Sequence, residues 1–164
     1  MKTKIKKLDW RTKTILTCVF LFLTNVVQGQ TINSIEEVRS TSKSFDQLLF
    51  NNTTIYFLSG EREQKKGEDA IAVIDLDLKH AVPPTVLKEA IGTWNFEKTK
   101  LVVIRNVSQA NLLTVKENLL DKLPSLEYVY LILGIGDLGS WLTEVKGLPD
   151  NPWHYVYTRQ VDSE

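Results

Sequence analysis

The sequence predicts an α/β fold, and three observations carry that expectation. Continuous apolar runs at residues 70–76, 101–104 and 128–133, with a weaker one at 155–157, have the composition of strands covered on both faces. Between them lie segments with helical periodicity, such as Leu87, Ala90, Ile91 and Trp94. The strand starts, taken at Ile71, Leu101, Val129 and Val156, are 30, 28 and 27 residues apart. Strand and helix in regular alternation imply a parallel sheet with right-handed crossovers.

Each element has its own warrant. Ser34 followed by Glu37 has the form of a capping box, in which hydroxyl and carboxylate satisfy free amides at a helix start. Ile35, Val38, Phe45 and Leu49 continue it, so a first helix is expected over 35–49, ended by Asn51 and Asn52. Residues 54–58 are β-branched and aromatic and read as a strand. Residues 60–69 contain no apolar residue and read as an exposed loop. Pro83 and Pro84 open the next helix. Leu112, Leu119, Leu120 and Leu123 mark another, and Leu142 with Val145 a last one.

The 20 basic and 20 acidic side chains of the 164-residue chain are unevenly placed. Residues 1–29 hold six basic residues and one acid, leaving 14 basic and 19 acidic residues in the body, a net charge of −5. Such a body lacks the basic excess with which nucleic-acid-binding proteins neutralise phosphates, so no nucleic-acid partner is expected. The basic opening, the apolar stretch from Ile15 through Val27 and the small Gly29 have the layout of a secretory signal peptide, with Gln30 as the new N-terminus. The organisation expected is therefore a signal peptide over 1–29 and a single α/β domain over 30–164, secreted or periplasmic, with membrane attachment only if the leader is kept as an anchor. Cys18, the sole cysteine, lies inside the leader, so the cleaved chain has no disulfide and no thiol chemistry. Asn51, Asn52 and Asn106 begin Asn-x-Ser/Thr triplets, informative only in a host that glycosylates.

A tandem similarity is visible: Leu123-Pro124 precedes Tyr128-Val129-Tyr130, and Leu148-Pro149 precedes Tyr155-Val156-Tyr157. On these residues, and most clearly on the run from Leu123 to Leu131, the chain resembles the leucine-rich repeat family over about residues 70–160. The resemblance implies a short solenoid of repeated strand-helix units with one sheet face open. That family places an Asn after each strand, whereas this chain offers Lys79, Asn106 and Gly134, of which one matches. A compact open α/β sandwich is the alternative.

Candidate chemistry is sparse. Asp75 and Asp77 end an apolar run, and two carboxylates there could hold Mg²⁺ with one free to attack a phosphoryl group. With Ser108, Lys122 and Asp137 in order behind them, they resemble the haloacid-dehalogenase-like phosphohydrolases, from which Lys79 and Trp141 depart at supporting positions. The competing reading is a pair of solvated strand-end residues, one capping a turn. The glycines at 134, 136 and 139 miss the dinucleotide spacing. His80 and His154 lie 74 residues apart without helical partners, and no Gly-x-Ser-x-Gly elbow is present. No catalytic residue, metal or cofactor is assigned.

The remaining signal is aromatic. If Val129, Leu131 and Val156 face the helices, then Tyr128, Tyr130, Tyr155, Tyr157 and Arg159 share the other face. Exposed, that face has the composition of a protein-contact surface; covered, the tyrosines belong to the core. The reading that follows is an exported, non-enzymatic binding module using an exposed sheet face, with those five residues as the ligand-binding set and a protein or cell-surface molecule as partner. The alternative is a small Mg²⁺-dependent phosphohydrolase.

Overall fold

Apolar strands with no polar alternation require cover on both faces, and the sheet has it. The computed structural model describes residues 32–51, 53–134 and 151–159. The leader, the segment with Leu142 and Val145, and the residues Gly136, Asp137 and Trp141 lie outside the described residues. The elements in chain order are β1 (Ile32–Ser34), α1 (Ile35–Thr41), α2 (Lys43–Phe50), β2 (Ile55–Ser59), β3 (Arg62–Lys66), β4 (Val73–Asp77), α3 (Pro84–Thr93), β5 (Leu101–Arg105), α4 (Gln109–Asn118), a 3-10 turn (Leu120–Lys122), β6 (Tyr128–Leu133) and β7 (His154–Arg159). The strands form one sheet in the order β1-β7-β6-β5-β4-β2-β3. Every pairing is parallel except that of β2 with β3.

Two apolar layers sandwich this sheet. On one face, Leu87 and Ala90 of α3 and Leu112 and Val115 of α4 pack with Ile74, Val102, Val129 and Tyr155. On the other, Val38 of α1 and Phe45 and Leu48 of α2 pack with Val73, Leu101, Val103, Tyr130 and Val156. This is an α/β fold with a mostly parallel sheet, and the open α/β alternative fits it; a repeat solenoid is not shown. The physical reason is α1 and α2, whose apolar side chains cover the face that a solenoid leaves open.

Two local expectations are corrected. The helix expected over 35–49 is two helices, because Ser42 adopts an extended conformation (φ −119°, ψ 100°) and its hydroxyl accepts from the Phe45 amide to start α2. The capping box of Ser34 and Glu37 does form. The expected loop over 60–69 contains β3, joined to β2 by a two-residue turn whose Gly60 has φ 60°. Strand β3 is an edge, so its polar side chains guard unpaired backbone groups against a further strand. Its Glu63 accepts from Tyr56 Oη at 2.6 Å and Trp94 Nε1 at 3.2 Å, which ties the hairpin to the end of α3. Finally, β1 is a strand by virtue of its pairing with β7.

Candidate binding groove

The five residues expected on one face are divided between two. Val129 pairs with Tyr155 and Tyr130 with Val156. Register partners in a parallel pair share a face, so the two Tyr-Val-Tyr runs stand in opposite phase. Tyr128 and Tyr130 turn towards α1 and α2; Tyr155 and Tyr157 turn towards α3 and α4, and Arg159 follows them by alternation. Tyr155 is fully buried and Tyr130 nearly so, while Tyr128 and Tyr157 are half-buried. Phe45 lies 5.2 Å from the Tyr128 ring and 5.9 Å from the Tyr130 ring, centroid to centroid. Tyr128 Oη lies 2.9 Å from Ser42 Oγ and 3.2 Å from Ser44 Oγ. Burial pushes the Tyr130 and Tyr155 hydroxyls up in pKa. The tyrosines therefore do not assemble into one open patch.

A different surface emerges where α1 and α2 stop. Parallel strands bring residues at their carboxyl ends into rows across the sheet, one residue per strand. On the α1/α2 face, one such row reads Arg62, Ser59, Asp77, Arg105 and the row beneath it Gln64, Phe57, Asp75, Val103. These residues line a groove of about 680 Å³, apart from Val103, which lies in the core beneath α1 and α2. Carboxyl ends of strands are where open α/β sheets hold ligands.

The charges in the groove are unequally committed. Arg105 donates from Nε to Asp75 Oδ1 and from Nη2 to Asp75 Oδ2, each at 2.8 Å. That bidentate bond raises the guanidinium pKa further. The Asp75 side chain is 11% exposed and that of Arg105 48%. Asp77 Oδ1 accepts from the Lys79 amide at 2.9 Å and from Asn106 Nδ2 at 2.8 Å. Desolvation disfavours the Asp77 carboxylate, yet the Lys79 amide, the Asn106 amide, Arg105 and His80 together outweigh it and hold the carboxyl below the usual carboxylate range. Asn106 adopts φ 54°, a left-handed conformation that Asn tolerates better than most residues. Arg62 is exposed and has no hydrogen-bond or ion-pair partner among the described residues.

These bonds bear on the two readings of the carboxylates. Asp77 caps the turn after β4 through its own side chain, and both Asp75 oxygens are occupied by Arg105. Ser108, expected behind them in a phosphohydrolase, accepts from the Asn111 amide as the cap of α4. Lys122 lies in the 3-10 turn that leads into β6, at the amino ends of the strands. Among the described residues, no three His, Cys, Asp or Glu side chains are grouped to hold a metal ion. Among the described residues, a carboxylate clasped by Arg105 and one held by two amides are not a donor set that fits Mg²⁺.

Sequence reasoning singled out Asp75 and Asp77 but missed Arg105, Arg62 and Phe57. The charge ending the apolar run of β5 was the available signal for Arg105; nothing marked Arg62, because its strand reads as a polar loop. No family model, no curated protein and no solved structure matches the chain.

Proposed function

We propose that the protein is an exported, non-enzymatic binding module whose recognition surface is the groove at the carboxyl ends of β2, β4 and β5. One observation carries the reading: Arg62, without a partner among the described residues, and the charged Asp77 flank the apolar Phe57 on the part of the face that α1 and α2 leave uncovered. A groove with an apolar floor and a few fixed polar groups is the composition of a ligand site. Export rests on the leader-like residues 1–29, and the excess of acid in the body supports a partner other than nucleic acid. Among the described residues no helix is long and apolar enough to cross a membrane. The partner belongs to the class of extracellular proteins, their fragments or cell-surface molecules.

The test is an NMR screen of the purified protein against free amino acids, short peptides, sugars and phosphate esters. Ligands should move the amides of Ser59, Gln64, Asp77 and Lys79. Responses confined to other surfaces would reject the groove. Turnover of a phosphate ester that requires Mg²⁺ and vanishes in Asp75→Asn would reinstate the phosphohydrolase.

A further inference from the structure

Resting on the groove as the binding surface, we infer that its ligand is a small zwitterion of the α-amino-acid class, either a free amino acid or a dipeptide. The charges of Arg105 and Asp75 are already committed to each other. Arg105 is the cross-strand neighbour of Asp77, but both of its side-chain hydrogen bonds among the described residues go to Asp75. The hydrogen bonds to Asp77 come from the neutral amides of Lys79 and Asn106, and both fall on Oδ1; Oδ2 takes neither. Its negative charge thus meets no cation in direct contact among the described residues. Arg62 is the matching cation, without a carboxylate partner among the described residues.

The two are placed to act together. Ser59 is the register partner of both Arg62 and Asp77, so their backbones stand two strands apart, about 10 Å, on the same face. Only the small Ser59 lies between them, and one row lower Phe57 forms an apolar floor. A simple anion drawn to Arg62 is repelled by Asp77, and a simple cation meets the converse. A ligand with an ammonium beside a carboxylate satisfies both, placing its ammonium on Asp77 Oδ2, its carboxylate on the Arg62 guanidinium and an apolar side chain over Phe57. A groove of about 680 Å³ accommodates one or two amino-acid residues of this kind.

The experiment titrates the isotopically labelled protein with L-leucine, N-acetyl-L-leucine and L-leucinamide, reading the amides of Ser59, Gln64 and Lys79. Leucine should give saturable shifts, and each blocked analogue should bind at least about tenfold more weakly, a difference of about 1.4 kcal/mol. Arg62→Gln should abolish the preference for leucine over leucinamide; the position is exposed and unpaired among the described residues, so the fold is not at stake. Asp77→Asn keeps an oxygen for Lys79 and Asn106 and should abolish the preference over N-acetyl-leucine. Blocked analogues that match leucine at the same amides would overturn the zwitterion while leaving the groove in place. Silence towards all three compounds would likewise overturn it, and the broader screen would then decide separately whether the groove binds anything else.

Discussion

Arg105 reaches past its own register partner to clasp Asp75 with two parallel hydrogen bonds of 2.8 Å, joining β5 to β4 near the carboxyl end of the sheet. Because the carboxylate is nearly buried and the guanidinium half-exposed, the pair sits between a surface ion pair and a buried one.

Removing one partner should therefore cost more than a surface pair and less than a core pair. Asp75→Asn and Arg105→Met should each lower stability by about 1–2 kcal/mol, discounted from the buried range for solvent at Arg105. A double-mutant cycle on urea midpoints measures the coupling, which should be about 1 kcal/mol or more. Additive losses would mean that the two side chains do not depend on each other.

Asp77 predicts an acid dependence with a definite sign. Its folded carboxyl lies below the ordinary value near 4, so it stabilises the fold above that value. That contribution is lost as pH falls from about 4 through the lower folded value. Denaturant midpoints measured between about pH 5 and pH 2 should fall more steeply for the wild type than for Asp77→Asn. Parallel curves would show that the Lys79 and Asn106 amides do not hold the charge.

The buried tyrosines should behave as core residues. Tyr130→Ala should cost about 3–5 kcal/mol, more than the Val129→Ala control, since a larger buried side chain leaves a larger cavity. Tyr155 adds a finer test. Its buried hydroxyl faces Trp153, whose interaction offsets part of the effect of burial although the two make no strict hydrogen bond, so Tyr155→Phe should cost no more than about 1 kcal/mol. A loss beyond about 1 kcal/mol in thermal or urea unfolding would reveal an acceptor on that hydroxyl.

Ser42 divides two helices and touches the sheet, so one substitution probes both roles. Ser42→Ala removes the cap on the Phe45 amide and the contact with Tyr128 Oη, and should cost about 1–2 kcal/mol. Ser42→Asp restores a capping oxygen and should recover part of that loss in the same unfolding assay.

The alternating architecture was legible because the strands are nearly pure apolar runs, and composition alone marks such strands. Strand β1 was not, since three residues with two polar side chains become a strand only by pairing with β7. Strand β3 was hidden for the opposite reason: an edge is protected by the polar residues that make it resemble a loop. The most instructive miss is the Tyr-Val-Tyr pair. The two tripeptides are identical, yet Val129 and Val156 face opposite layers, because the hydrogen-bond register between β6 and β7 sets the phase and a one-residue slip inverts it. The groove was half visible: Asp75 and Asp77 stood out as charges ending an apolar run, whereas Arg62 joins them through a hairpin that only the folded chain reveals.

The pairing of β1 with β7 also sets a timetable. The first strand of the described chain finds its partner in the last, about 120 residues later, and α1 and α2 rest on β6 and β7 as well as on earlier strands. A chain crossing a membrane with its N-terminus leading cannot finish either contact until its final strand has emerged. Contacts so distant in sequence slow folding, because the intervening loop must close before they repay it. Under the export we propose, that delay keeps the polypeptide threadable until its passage is complete.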